Sequence, residues 1–254
     1  MPKHVFIIQT FLVICLMVSN TVAETEYDED KIHDLIQNQY LTCTTTVRIV
    51  NNALGYHLHS HPISYGSGSF QQAVTGLESS TDVGSLWMIK EGEGDEICLT
   101  GDIVPCGSTI RLEHMGTYKN LHSHEFESPV SKRSEVSAFG ESGVGDSGDN
   151  WIIECKDGLN GDKITGRTLF YLKHKISGNY LYTDARSMFT RQNCMNCPII
   201  GQAEVSGTRA KNKNGLWKIV GGYFFSHDDQ GDFGLGEIVE EQQDYSEDYD
   251  RDDL

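Results

Sequence analysis

Apolar and polar residues alternate with period two along most of this chain, and the alternating stretch returns three times. Residues 47–61 read VRIVNNALGYHLHSH, residues 110–124 read IRLEHMGTYKNLHSH, and a more diverged copy, FYLKHKISGNYLYTD, occupies 170–184. In each copy an aliphatic residue (Ile49, Leu112, Leu172) stands nine positions before a leucine (Leu58, Leu121, Leu181). A valine-centred segment follows: QAVTG at 72–76, EVSAFG at 135–140 and AEVSG at 203–207. Each copy closes on Trp87, Trp151 or Trp217, which are all the tryptophans of the chain. Period two puts successive side chains on opposite faces of a strand. Glycine- and serine-rich stretches at 66–69, 140–148 and 158–161 mark the turns between strands.

The pattern predicts an all-β fold of three equivalent units, about four short strands each. That count fits a β-trefoil with pseudo-threefold symmetry over residues 40–222, with repeats at about 40–97, 98–160 and 161–222. Closure about a threefold axis lets three weak units share one core and hides their strand edges. Three blades are too few for a propeller. Only residues 31–40 have a helical look, and they precede the repeats. The three tryptophans lie in apolar strands and read as core, not as stacking platforms.

The ends follow a different rule. Residues 1–23 carry Lys3 and His4, an apolar run from Val5 to Val18, and small residues at Thr21 and Ala23, as a signal peptide does. The run is too short to span a bilayer comfortably, so no membrane insertion is expected. An acidic lead (24–39) follows, and residues 223–254 read as a disordered acidic tail. Its last residues, Arg251, Asp252, Asp253 and Leu254, resemble an endoplasmic-reticulum retrieval signal, with Asp253 where a glutamate is usual. Residence in the endoplasmic reticulum lumen is therefore expected, with secretion as the alternative. Much of the formal charge of −17 sits in these acidic ends, and nucleic-acid binding, which needs Lys and Arg patches, is disfavoured.

Six cysteines remain beyond Cys15, and an even count in an exported chain reads as disulfides. Cys98 and Cys106 flank a short Gly- and Pro-containing loop, so a local bridge is expected there. Cys194–Cys197 reads as a bridged loop, because no helix follows to make it a thioredoxin-type redox motif. Cys43 is then left for Cys155.

The Leu-His-Ser-His segments, Tyr65-Gly66-Ser67-Gly68-Ser69 with Gln71 to Gly76, and Glu135 to Gly140 resemble the stromal cell-derived factor 2 family. These are small endoplasmic-reticulum proteins of three MIR motifs. The likeness covers about residues 40–222. It departs at Cys194–Cys197, at the acidic tail, and at Leu181-Tyr182-Thr183-Asp184 in place of a third Leu-His-Ser-His. The resemblance implies a non-catalytic accessory of quality control. Its partners would be a J-domain co-chaperone, the lumenal ATP-driven chaperone and unfolded client polypeptides. Mannose-type glycans are a further ligand class, because protein O-mannosyltransferases share the module.

Candidate ligand-binding residues are Arg48, His59 and His61 in the first repeat and Arg111, His122 and His124 in the second. Tyr171, Tyr182 and Asp184 take corresponding places in the third. Arginine offers several fixed donors, and histidine both a donor and an acceptor. Structural hydrogen bonding explains the same residues without a ligand. A His-x-His pair on a strand faces one side, but a third metal ligand is not signalled, so neither metal nor cofactor is expected. No paired carboxylates recur in the repeat, Gly66 to Ser69 lacks a strand-to-helix elbow, and no phosphate loop is present. Binding is favoured over catalysis.

Overall fold

The computed structural model describes residues 39–195 and 197–224 and the backbone of Ile238–Val239. Thirteen strands join in one hydrogen-bonded sheet. The first four are β1 (Thr46–Asn51), β2 (His57–Ser64), β3 (Gln72–Leu77) and β4 (Leu86–Glu91). The next four are β5 (Thr109–His114), β6 (Lys119–Glu127), β7 (Ser134–Phe139) and β8 (Trp151–Cys155). Then come β9 (Phe170–His174), β10 (Tyr180–Met188), β11 (Ala203–Thr208) and β12 (Trp217–Tyr223), and last β13 (Ile238–Val239). A 3-10 turn precedes the tryptophan strand three times, at Val83–Ser85, Ser147–Asp149 and Lys213–Gly215. There is no α-helix among the described residues, and no helix long and apolar enough to cross a membrane.

Six strands close on themselves in the order β1, β4, β5, β8, β9, β12 and back to β1. The hairpins β2–β3, β6–β7 and β10–β11 cap one end of this ring, because β3, β7 and β11 also pair with one another. Edges that would otherwise template foreign strands are thereby consumed.

The alternation read in the sequence decides what lies inside. Ile49, Leu58, Val74 and Trp87 are buried together with Leu112, Leu121, Val136 and Trp151 and with Leu172, Leu181, Val205 and Trp217. A buried indole N–H needs an acceptor. Trp87 Nε1 donates to the Leu58 carbonyl at 2.8 Å, Trp151 to Leu121 at 2.9 Å and Trp217 to Leu181 at 3.1 Å. The leucine that anchors each hairpin thus also orients the tryptophan of the same unit. Burying each indole contributes up to roughly 5 kcal/mol by area.

Two expected disulfides are corrected. The bridges are Cys43–Cys98 and Cys106–Cys155, with Cα separations of 6.0 and 5.7 Å, not Cys98–Cys106 and Cys43–Cys155. Cys194–Cys197 pairs as expected. The loop between Cys98 and Cys106 is held by two different neighbours instead of folding on itself. Near its start, Cys43 N–H donates to the Asp102 carbonyl at 2.8 Å; at its end, Cys106 N–H donates to Asp162 at 2.8 Å. Cys43–Cys98 therefore ties the start of the first unit to the junction with the second, and Cys106–Cys155 joins the two ends of the second. The turns Leu99 to Asp102 and Leu159 to Asp162 that serve these contacts are alike. In both, the aspartate accepts from the leucine N–H, at 2.8 and 2.7 Å.

At one end Tyr40, the first residue expected in the repeats and the last with a helical look, forms a bridge with Thr165 and is not helical. At the other end β12 runs to Tyr223 and Phe224 is buried, beyond the expected limit of 222. Within the stretch expected to be disordered, Ile238 and Val239 pair with Tyr223 and Gly222. Residues 1–38 and the retrieval-like Arg251–Leu254 lie outside the described residues.

Candidate functional site

The Leu-His-Ser-His segments meet the first two 3-10 turns, which are locked from two sides, by a cap and by the hairpin; the third has the cap. Asp82, Asp146 and Asn212 cap them, each side chain accepting from the backbone N–H of the turn's middle residue. Capping satisfies donors that a short helical turn leaves orphaned. From the hairpin side, His59 Nδ1 lies 3.2 Å from Ser85 Oγ. His122 Nδ1 lies 2.9 Å from Asp149 Oδ1; a carboxylate only accepts, so this nitrogen carries the proton.

A second set of contacts runs between units, and the sequence reading did not single it out. Asn51, His114 and His174 follow Ile49, Leu112 and Leu172 by two residues. Asn51 Nδ2 donates to the Asn214 carbonyl at 2.8 Å, His114 Nε2 to Gly84 at 3.0 Å, and His174 Nε2 to Gly148 at 3.0 Å. Each unit therefore grips the middle residue of another unit's 3-10 turn, in a cycle that closes. The second imidazole nitrogen accepts from Thr117 or Ser177, at 2.8 Å in both cases. Both rings are spent in their neutral form, and burial lowers the pKa of each. Burial likewise lowers His59 from 6.5 to about 4, against the opposing pull of Asp82.

His61 and His124 follow on the same strand face. The His59 and His61 rings meet edge to face with nitrogens 2.9 Å apart, and His122 and His124 stack similarly. His124 Nε2 donates to the fully buried Glu135 at 3.0 Å. Glu135 also accepts from the Ser69 hydroxyl and backbone, pinning the glycine-rich loop beneath Phe70, whose φ is +60° and whose ring is exposed. In the third unit Tyr182 donates to Asp184 at 2.9 Å. Hydrogen bonds from the exposed Arg186 hold the Asp184 carboxyl well below the usual range. Arg133 lies 4.5 Å over the Tyr182 ring.

Arg48, Arg111 and Tyr171 occupy one position on the outer wall of three units and have three different fates. Arg111 is taken by Glu91, with Nη2 to Oε1 at 3.1 Å. Lys211 covers the Tyr171 ring. The Arg48 Nε is buried without a hydrogen-bond partner. No hydrogen bond joins Arg48 to His59 or His61, or Arg111 to His122 or His124, among the described residues. The expected candidates thus fall into two belts, histidines around the turns and arginines on the wall, not one cluster per unit.

One further grouping has metal-ligand chemistry: atoms of His122, Asp146 and Asp149 lie within 4.8 Å of one another. The fold already uses them. Asp149 Oδ1 accepts from His122, and Oδ2 accepts from Asn120 Nδ2 at 3.1 Å and from Asp146 N–H at 2.9 Å. The arrangement is a capping box with a histidine lid.

Sequence comparison matches residues 39–196 to the MIR domain. A stromal cell-derived factor 2-like protein of Dictyostelium discoideum is 38% identical over 227 residues, covering 88% of this chain and 98% of the relative. Human stromal cell-derived factor 2 is 40% identical over 184 residues, 72% of this chain and 82% of the relative. The crystal structure of the SDF2-like protein from Arabidopsis thaliana superposes with a TM-score of 0.68 at 34% identity, covering 74% of this chain and 98% of that one.

Proposed function

Because the chain belongs to the MIR-domain family of stromal cell-derived factor 2 proteins, we propose that it is a non-catalytic accessory of endoplasmic-reticulum quality control. On this reading it is a β-trefoil of three MIR repeats, at about 40–97, 98–160 and 161–222. A signal peptide (1–23) would bring it into the lumen, and Arg251–Leu254 would return it there. It would bind a J-domain co-chaperone and, through it, the ATP-driven lumenal chaperone and unfolded clients. The observation that carries the reading is the extended likeness to this family. The side-chain geometry supports binding: His114 and His174 are committed to backbone carbonyls, and His59 and His122 to the 3-10 turns.

Affinity purification of the full chain from lumenal extract in mild salt tests it. Recovery of a J-domain protein, and suppression of client aggregation without nucleotide, are the expected results. Deleting Arg251–Leu254 should send the protein to the medium. Failure to recover any co-chaperone would refute the adaptor role.

A second reading, a lectin for mannose-type glycans, is favoured by one observation. Arg48 has an unsatisfied buried Nε where its counterpart Arg111 is paired. A lectin of this kind would lose glycan-array binding on Arg48→Ala and keep it on Arg111→Ala. Sugar-elutable glycoproteins in the same purification would decide for it.

A further inference from the structure

Charge is divided unevenly along the chain. Residues 40–155 hold six Lys and Arg against fifteen Asp and Glu, a balance of −9. Residues 156–224 hold eleven against four, or +7, and residues 225–254 hold one against twelve, or −11. A strongly basic unit therefore stands between an acidic body and an acidic tail.

Two lysines of that unit meet on its outer wall. Lys173 of β9 stands opposite Tyr180 of β10, which stands opposite Thr208 of β11. Lys211 lies 5.1 Å from the Tyr171 ring centre and 5.4 Å from that of Tyr180, and Lys173 lies 5.9 Å from Tyr180. Both ammoniums share a single carboxylate, Glu154, at 2.6 and 3.3 Å. Arg209, and Lys213 at the start of the third 3-10 turn, are exposed close by in the chain and form no ion pair among the described residues. One carboxylate among these cations leaves a surplus of positive charge on an aromatic floor.

The tail leaves the body along β12, antiparallel to it and heading from Tyr223 toward the strand's start. Val239 and Ile238 pair with Gly222 and Tyr223, a few residues past Lys218 on β12. The fifteen residues from 240 to 254 carry eight carboxylate side chains and one arginine, with Tyr245 and Tyr249 among the acids. Extended, they reach about 50 Å, more than the width of a domain this size, whose radius of gyration is about 16 Å. Lys and Arg over aromatic rings, and ammonium against carboxylate, are the contacts such a segment offers.

We propose that residues 240–254 dock in cis on the basic wall formed by Lys173, Lys211 and Lys213. The wall is thereby masked by the chain's own acidic segment, and an anionic partner reaches it only by displacing the tail.

Zero-length carbodiimide cross-linking of the full chain tests this, using an equal mixture of unlabelled and 15N-labelled protein. The Lys211–Glu154 and Lys173–Glu154 pairs serve as internal controls for the reaction. Isopeptide links from tail acids to Lys173, Lys211 or Lys213 within one isotopic species are expected. They should fall about tenfold or more near 1 M salt, where the Debye length is about 3 Å, while the partly buried Glu154 links persist. Lys211→Gln with Lys213→Gln should sharply reduce the tail links and leave Lys173–Glu154 intact, which reports the fold. Mixed-isotope links would overturn docking in cis in favour of association between copies. Tail links spread evenly over Lys90, Lys119 and Lys163, or none at all, would overturn the proposal altogether.

Discussion

Replacing His174 by alanine should be among the most costly single changes outside the apolar core. The imidazole is 1% exposed, donates to the buried Gly148 carbonyl, accepts from Ser177, and packs 5.1 Å from the Trp151 ring. Stranding a buried carbonyl costs about 1–3 kcal/mol, and the cavity left against Trp151 adds about 1 kcal/mol or more. The expected loss is about 3 kcal/mol. At roughly 2–4 °C per kcal/mol for a domain of this size, Tm should fall by about 6–12 °C. Urea unfolding followed by tryptophan fluorescence measures it. His114→Ala, which frees the Gly84 carbonyl in the same way, should match within about 1 kcal/mol. His174→Asn, which imports the donor that Asn51 uses in the first unit, should recover part of the loss. A cost below about 1 kcal/mol for His174→Ala, or an asparagine variant no better than alanine, would refute the role given to these inter-unit grips.

Acidification should weaken the fold before ordinary carboxylates titrate. His59, His61, His114 and His174 have folded pKa values below 6.5. Their contribution is complete above the unfolded value and is lost as pH falls through the folded ones. Urea midpoints should hold from pH 8 to 7 and decline between about 6.5 and 5; a flat or rising profile contradicts the assignment. Replacing both Cys106 and Cys155 by serine opens a loop with a sequence separation of 49, and should cost about 4 kcal/mol on the chain-entropy argument. Non-reducing peptide mapping should recover Cys43–Cys98, and a Cys98–Cys106 peptide would disprove the pairing. Glu135→Ala should speed amide exchange and proteolysis at residues 66–70 with a smaller effect elsewhere, since Glu135 fastens that loop through Ser69; unchanged exchange there would count against it.

The core was legible because repetition tripled every signal. Trp87, Trp151 and Trp217 each recur in an apolar strand, and no exposed role explains three identical placements. The disulfides misled because nearness along the chain was weighed above equivalence between units. Cys43 and Cys106 each stand six residues before Ile49 and Leu112, so they are counterparts and not partners of one loop; their own partners differ in position, Cys98 directly preceding the Leu99 turn and Cys155 ending β8. The third unit has Gly166 at the position of Cys43 and Cys106 and no long bridge. Asn51, His114 and His174 escaped notice for a related reason. Asparagine and histidine look unlike as letters, yet each reaches a carbonyl with one N–H. The candidate arginines were matched correctly by position, but whether a neighbour such as Glu91 or Lys211 claims the site depends on side chains outside the repeated phrase.

The ring of strands has a consequence for biosynthesis. β1 completes its pairing only with β12, and Asn51 finds its acceptor 163 residues later, at Asn214. At roughly 5–20 residues per second, the opening strand waits about 8–33 s after emerging before its partner exists. Throughout that interval its unpaired edge and the apolar side chains behind it are available to any other nascent strand. Disulfide Cys43–Cys98 can form well before the ring closes, because both cysteines have emerged by then. Early oxidation of the first unit would hold β1 beside β4 while the rest of the polypeptide is still being made.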